Sequence, residues 1–262
     1  MKNVNIRPAE PGDADAVVEV VRESFRPGDL ELTIYGCPGI AAYLRRQFEA
    51  ARFSSLPPLV AEVERSVIGF AELRRTRSSL TLNYIAVRGS WQGHGIAATL
   101  LSRALEQAGY AAGEPLSLEV FEHNTAARDW YARMGFETRL GMNFLRAHMP
   151  LDGGRRGAIV ESMPQAEVCH EQFGFSTFTV GLGSKSFSVG RLGSRWFKIT
   201  DPALLTSPGV LDLLARIDAE RELLAVIPDT APHYGGRLEF KPIIRALKMR
   251  CCLPLPPRSP GG

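Results

Sequence analysis

Apolar residues recur with the periods of strands and helices throughout the first 150 residues. Val4 to Arg7 alternates like a strand, and after a break at Pro8 to Gly12 the apolar residues recur at helical spacing behind Asp13, a suitable helix cap. The segments predicted as strands are 4–7, 59–63, 67–73, 80–87, 116–121 and 143–149. The segments predicted as helices are 13–25, 40–53, 96–108 and 124–134. The predicted order is therefore β-α-α-β-β-β-α-β-α-β, which is enough for one domain over 1–149.

A second unit follows a segment rich in glycine and arginine. Residues 150–160 have the composition of a linker, and 253–262, rich in proline and ending in two glycines, that of a frayed tail. Between them, over 161–252, the pattern predicts another packed domain. Its predicted elements are strands at 177–182 and 186–200, a helix at 210–221, a buried strand at 223–227 and a final strand or helix at 243–251.

Composition narrows the class of protein. Of 262 residues, 45% are hydrophobic and 23% charged, and no apolar run approaches the roughly 18 residues of a membrane span. The N-terminus lacks a secretion signal, so we expect a cytoplasmic protein without membrane contact. A balance of 31 basic and 28 acidic residues, giving +3, is too small to indicate nucleic-acid binding. Two of the four cysteines are isolated and two adjacent, so neither a disulfide framework nor a metal site is expected.

The segment 85–97 joins a predicted strand to a predicted helix through a loop with two glycines, Gly93 and Gly95. Glycines let the backbone turn tightly, and the N–H groups of the following helix carry partial positive charge. Such a loop suits a diphosphate. On the glycines alone, however, an ordinary turn before a helix is the simpler interpretation.

Two longer patterns change that interpretation. Residues 92–97, Gln-Gly-His-Gly-Ile-Ala, follow the fourth predicted strand of the domain and resemble the acyl-CoA signature of the GNAT (Gcn5-related N-acetyltransferase) family. Residues 124–136 resemble that family's Asn-x-x-Ala-x-x-x-Tyr-x-x-x-Gly-Phe helix. Gln92 replaces the more common arginine, which removes one positive charge from the loop. The resemblance covers about 4–149.

The resemblance implies an α+β (α/β) fold with a mixed central sheet and flanking helices for 1–149, and the pattern beyond the linker adds a smaller C-terminal α/β domain. It also implies that the fourth and fifth strands separate and that the pantetheine arm of acetyl-CoA pairs with the backbone between them. The residues then expected to contact acetyl-CoA are Ile85, Ala86, Val87, Gln92, Gly93, His94, Gly95, Ile96, Ala97 and Asn124. The C-terminal unit would be a degenerate copy of the same fold, and without such a loop it would bind no second CoA.

Two residues are expected to carry the chemistry. Glu119, Asn124 and Tyr131 have the spacing of ribosomal-protein alanine acetyltransferases, where the glutamate is the base and the tyrosine the acid. From the residues alone, Glu119 would be an exposed strand carboxylate and Tyr131 a core residue. Glu72, or an ordered water, is the alternative base.

The sequence thus predicts an N-acetyltransferase that acts on a primary amine of a small molecule or protein by direct attack on acetyl-CoA. A CoA-binding regulatory or scaffolding protein without strong activity is the alternative. The acceptor loop, 26–55, does not identify the amine. A homodimer is a further possibility of this class.

Overall fold

The computed structural model describes residues 3–75, 79–149, 157–231 and 238–253. Within these ranges the strands are β1 Asn5–Pro8, β2 Leu59–Val63, β3 Ser66–Arg75, β4 Leu80–Val87, β5 Leu116–Phe121, β6 Glu137–His148, β7 Ala158–Val160, β8 Phe175–Leu182, β9 Lys185–Leu192, β10 Trp196–Ile199, β11 Glu222–Pro228 and β12 Lys241–Cys251. The helices are α1 Ala14–Glu23, α2 Pro27–Leu30, α3 Ile40–Ala51, α4 Ile96–Gln107, α5 Thr125–Arg133, α6 Met163–Phe173, α7 Pro202–Leu205 and α8 Pro208–Ile217.

All these strands belong to one sheet, in the order β1-β2-β3-β4-β5-β12-β6-β11-β10-β9-β8-β7. Two neighbouring pairs are parallel, β4 with β5 and β10 with β11, and the other pairs are antiparallel. Helices flank this mixed sheet, so the predicted fold class is confirmed.

The helices form where the sequence supplies both an apolar face and an end signal. In α5, the side chain of Asn124 accepts a hydrogen bond from the Ala127 N–H at 3.2 Å, as expected of a cap. At the other end, Gly135 has φ +87° and the Phe136 N–H donates to the Tyr131 carbonyl at 3.1 Å. This is the left-handed C-terminal cap that the glycine and phenylalanine predicted.

The two sides of the first half have separate apolar cores. On one face, α4 and α5 pack over the sheet, with Leu100, Leu105 and Tyr131 among the buried residues. On the other face, α1 and α3 contribute Val17 and Leu44 to a second cluster. We call these the α4 face and the α1 face. Because side chains alternate along a strand, each residue of the sheet belongs to one of them.

The last strand of the described ranges, β12, lies in the middle of the sheet. Residues predicted as a strand or a helix at 243–251 form β12, which pairs with β5 on one side and β6 on the other. Leu247, Met249 and Cys251 are buried in the core of the first half. Read inward from its two edges, the sheet has β1-β2-β3-β4-β5 on one side and β7-β8-β9-β10-β11 on the other. The second half, β7 to β12, thus repeats the strand order of β1 to β6, except that β12 lies next to β5 and β6 lies next to β11. The domain boundaries stay a prediction, and most of the predicted linker and tail lies outside the described residues.

The largest differences from the predicted elements lie near the centre and in the second half. β6 begins at Glu137 rather than at 143. Its first residues are mostly polar and gave no strand pattern, but they pair with β12 and so belong to the strand. The prediction omitted α6, whose buried side is narrow and includes Ala166. β7 lies within the predicted linker and pairs with β8 over only Ala158 to Val160.

Candidate functional site

The glycine loop leads directly into α4. Gly93 and Gly95 both have left-handed backbones, with φ +79° and +76°, and Gly95 is the residue before the first helical turn. A Cβ atom at either position would meet no atom of the described chain within 4 Å. The loop therefore turns in a conformation that favours glycine and leaves open space in front of its backbone.

Backbone donors of this loop remain available to a ligand. The Thr99 N–H donates to the Gly95 carbonyl at 3.0 Å and begins the helical ladder. The N–H groups of residues 93–98 precede it and, in the part of the chain that the structure describes, have no backbone acceptor. Together with the positive end of α4, they form a site suited to a diphosphate.

The side chains of the loop stabilise the turn. Gln92 donates from Nε2 to the Val87 carbonyl at 3.0 Å, which ties the loop to the end of β4. His94 is exposed, and its Nδ1 lies 2.9 Å from the Gln92 carbonyl. Gln92 therefore stabilises the turn, and an anion bound at this loop would contact backbone N–H groups.

A gap opens between β4 and β5 beside this loop. The two strands pair only from Leu80 with Leu116 to Leu82 with Leu118, although β4 continues to Val87 and β5 to Phe121. β4 remains paired with β3 over this stretch, where an extra residue, Asn83, interrupts the register. Residues 83–87 thus turn an unpaired backbone edge toward the gap, which ends at the glycine loop.

Comparison with known proteins identifies the family of this chain. The acetyltransferase (GNAT) family model matches residues 23–136. YhfO, an uncharacterised N-acetyltransferase of Bacillus subtilis strain 168, is 31% identical over 148 residues, which are 53% of this chain and 93% of that protein. This chain belongs to the GNAT acetyltransferase family.

Two solved structures share the fold over almost the whole chain. One is assigned as an acetyltransferase from Pyrococcus horikoshii, with TM-score 0.65 and 13% identity, covering 97% of this chain and 91% of that one. The other is a GCN5-related N-acetyltransferase from Sphaerobacter thermophilus, with TM-score 0.59 and 12% identity, covering 95% of each chain. At this identity they show a common architecture that includes the second half.

In this GNAT protein, Tyr131 lies in the α4-face core. It is buried, with its ring 5.5 Å from that of Phe136 and 5.0 Å from that of Trp130. Burial raises the pKa of its phenol above the ordinary value of 10. The hydroxyl therefore stays protonated at neutral pH, and among the described residues it has no hydrogen-bond partner. Its role as acid stays a prediction.

Glu119 points to the opposite face, as its place between the buried Leu118 and Val120 predicts. Its carboxylate lies 3.3 Å from Lys248 Nζ, and the two side chains are 50% and 44% exposed. It also acts electrostatically on Tyr84, whose pKa is raised by burial and by the neighbouring Glu72 and Glu119 carboxylates. The proposed acid and base thus lie beside β5, on opposite faces of the sheet. The role of Glu119 as base stays a prediction.

Glu72, the alternative base, is buried and fully engaged. Its carboxylate accepts from Gln47 Nε2 at 2.6 Å, Asn83 Nδ2 at 2.6 Å and Arg74 Nε at 3.1 Å. The bond to Asn83 joins β3 to the extra residue of β4. These contacts favour a structural role for Glu72 in shaping the gap.

Sequence patterns did not indicate several residues around Glu119. Tyr35 packs against Tyr84 with ring centroids 4.7 Å apart, and Lys248 arrives on β12. Asp29 of α2 contacts His123, just after β5, at 2.9 Å. These contacts join parts of the chain far apart in sequence, so no local spacing could have shown them.

Asn124 lies at the start of α5, and its contact with acetyl-CoA, like that of the other expected donor-site residues, stays a prediction. Asn124 uses its side chain to cap α5 at one end of the β5–α5 connection.

Within the described ranges no group of three or more His, Cys, Asp or Glu residues could hold a metal ion. No helix in the same ranges is long and apolar enough to cross a membrane.

Proposed function

We propose that this protein is an N-acetyltransferase that transfers the acetyl group of acetyl-CoA to a primary amine. The observation that carries the proposal is the gap between β4 and β5 that opens onto the glycine loop. An unpaired strand edge ending at a cluster of free N–H groups matches a donor with an extended amide-containing arm and a diphosphate.

The backbone of the chain would hold the donor. N–H groups from Gly93 to Ala97 would donate to the diphosphate, and the edge formed by residues 83–87 would pair with the pantetheine amides. Ile85 and Val87 direct their side chains to the α4-face core, so pairing leaves their packing unchanged. Asn124 would keep the start of α5, and with it Tyr131, beside the gap.

The chemical step is direct attack of the neutral amine on the thioester carbon. A C–N bond forms, the C–S bond breaks, the amine nitrogen loses a proton and the CoA thiolate gains one. Glu119, on the α1 face, would accept the amine proton directly or through water. Tyr131, on the other side of β5, would protonate the thiolate, for which its neutral phenol is suited.

The test is incubation of the purified protein with acetyl-CoA and a panel of amine classes. We expect release of free CoA that depends on the amine, together with an N-acetylated product detected by mass spectrometry. Tight acetyl-CoA binding without turnover on any amine would instead support the regulatory or scaffolding alternative.

A further inference from the structure

The connection between α2 and α3 joins the two halves of the molecule on the α1 face. We call residues 31–39 the connecting segment. Leu32 and Cys37 of this segment are buried in an apolar cluster that also contains Leu192 of β9 and Trp196 of β10. Because β9 and β10 belong to the second half, that half supplies part of the surface on which the connecting segment packs.

Two glycines bring the connecting segment into close contact with the end of α6. A Cβ atom at Gly39 would lie 2.4 Å from the Gln172 carbonyl oxygen. A Cβ atom at Gly174, which has φ +77° and separates α6 from β8, would lie 2.8 Å from Pro38 Cδ and 3.2 Å from Cys37 Cβ. The chain can approach itself this closely only where a side chain is missing, so a methyl group at either glycine would displace the segment.

The connecting segment also reaches the gap between β4 and β5. Tyr35 of the segment is fully buried, and its ring packs against that of Tyr84 with an interplanar angle of 68° and ring centroids 4.7 Å apart. Arg22 of α1 fixes the backbone at this point, since its Nε donates to the Tyr35 carbonyl at 2.9 Å. One segment therefore contacts both the second half and a side chain of β4 at the gap.

Tyr84 lies where β4 loses its neighbour on the β5 side. It comes two residues after Leu82, the last residue of β4 that pairs with β5, and its Cα partner on β3 is Glu72. Glu119 comes one residue after Leu118, which is the partner of Leu82. Both side chains project from the α1 face, so Tyr84 and Glu119 lie on the two sides of the opening of the gap.

The hydroxyl of Tyr84 has no hydrogen-bond partner among the residues that the structure describes, although the side chain is partly buried. The neighbouring Glu72 carboxylate accepts from three other side chains. Burial raises the pKa of Tyr84, so the phenol is neutral at physiological pH. Its oxygen can accept a hydrogen bond from an amine N–H, which leaves the nitrogen lone pair free to face the thioester.

We propose that Tyr84 hydrogen-bonds the acceptor amine beside Glu119, and that the second half holds Tyr84 in place through the connecting segment and Tyr35. The inference rests on the proposed function. It gives the second half, for which no CoA site is expected, a part in binding the acceptor. Tyr84 would contact the substrate, whereas Tyr35 and Gly174 would be positioning residues.

Tyr84→Phe tests the direct contact, because it removes the hydroxyl and keeps the ring. With the most active amine of the panel, we expect KM for the amine to rise about threefold to tenfold, the size of one neutral hydrogen bond, with acetyl-CoA affinity unchanged. Tyr110→Phe removes a phenol beyond the C-terminal end of α4 and should leave this KM at the wild-type value. An unchanged KM in Tyr84→Phe would overturn the inference.

Gly174→Ala tests the part of the second half. The added methyl group would displace Pro38, and we expect KM for the amine to rise while acetyl-CoA affinity stays constant. Gly183→Ala is the matched control, because Gly183 has φ +60° and open space around a Cβ atom, so the variant carries the backbone strain alone. Adding Gly174→Ala to Tyr84→Phe should raise KM no further, since both act on one hydrogen bond.

Trp196→Leu, which shrinks the contribution of the second half to the same apolar cluster, replaces Gly174→Ala if that variant does not fold. Wild-type KM in a folded second-half variant, or effects that add to that of Tyr84→Phe, would overturn the inference and leave the proposed function standing. No CoA release with any amine, despite acetyl-CoA binding, would overturn the proposed function and this inference with it.

Discussion

At the scale of single residues, the proposed donor site depends on loop backbone whose open space a side chain would fill. Gly95→Glu would place bulk and a negative charge where the diphosphate is proposed, at a residue with φ +76°. We expect acetyl-CoA affinity, measured by calorimetry, to fall at least about a hundredfold, about 2.7 kcal/mol. Gly109→Glu, at the other end of α4, has a similar φ of +60° and open space, and should cost stability only. Unchanged affinity in folded Gly95→Glu would refute the site.

Tyr131→Phe removes one hydroxyl and leaves the ring packing in place. If Tyr131 is the acid, kcat should fall by about 10²–10⁴ while acetyl-CoA affinity stays constant. Tyr110→Phe is the control. It removes a buried hydroxyl that donates to the Glu114 carbonyl at 2.6 Å, so it should lower stability by about 1 kcal/mol and leave kcat intact. Full activity of Tyr131→Phe would assign proton donation to water or another group.

Glu119→Gln tests the base separately. Without a base, kcat/KM should be most depressed at neutral pH and partly restored at alkaline pH, where the amine loses its proton unaided. Glu72→Gln should chiefly reduce stability, by about 1–3 kcal/mol, because an amide cannot replace a carboxylate that accepts from three donors. If Glu119→Gln keeps the wild-type pH profile and Glu72→Gln alters it, the two roles are reversed.

At the scale of elements, α6 is held to β9 and to the segment before β11 by a cluster of charged groups around His170. Arg221 Nη2 lies 3.1 Å from His170 Nε2, and Arg191 pairs with Glu167 at 2.7 Å. Burial first, then the positive charges of Arg191 and Arg221, lower the pKa of His170 to about 4. Glu167 and Asp218 oppose this shift only partly.

The sign of the resulting pH dependence follows from this cluster. With an ordinary pKa of 6.5 when unfolded and about 4 when folded, His170 binds a proton more readily in the unfolded chain below pH 6.5. Its contribution to stability is therefore complete above that pH and declines toward pH 4. In thermal melts from pH 7.5 to 4.5, His170→Gln should show a smaller loss of Tm than wild type. Val168→Thr, on the exposed side of α6, should keep the wild-type slope.

At the scale of the whole molecule, β12 holds the two halves in one sheet. A chain ending at residue 240 would expose the edges of β5 and β6 and lose the buried side chains of Leu247 and Met249. We expect this truncation, and likewise residues 1–149 alone, to lack a cooperative denaturant transition. A chain ending at 253 should unfold like the full protein. A cooperative transition for 1–149 would show that the first half folds independently.

The second half is expected to bind no CoA of its own. β10 stays paired with β11 over its entire length, from Trp196 with Glu222 to Ile199 with Ala225, so no gap matches the one between β4 and β5. Calorimetric titration should give one CoA per chain, and Gly95→Glu should abolish that single site. Two equivalent sites would contradict the asymmetry of the two halves.

Local patterns predicted much of the loop and helix-end geometry on which the proposed donor site depends. The glycines of the loop, the cap residue Asn124 and the Gly135–Phe136 end of α5 act through their own backbone or through neighbours a few residues away. The alternation around Glu119 likewise predicted its exposure. These features depend on the spacing of apolar residues and on the residue types at turns, both of which can be read directly from the sequence.

Tertiary structure alone decided which distant residues meet. The separation of β4 from β5 depends on how two strands diverge in space, and the register shift at Asn83 has no signal in sequence. The position of β12 between β5 and β6 brings Lys248 to Glu119. Pairing between segments more than a hundred residues apart is set by packing of the whole sheet, and no local period encodes it.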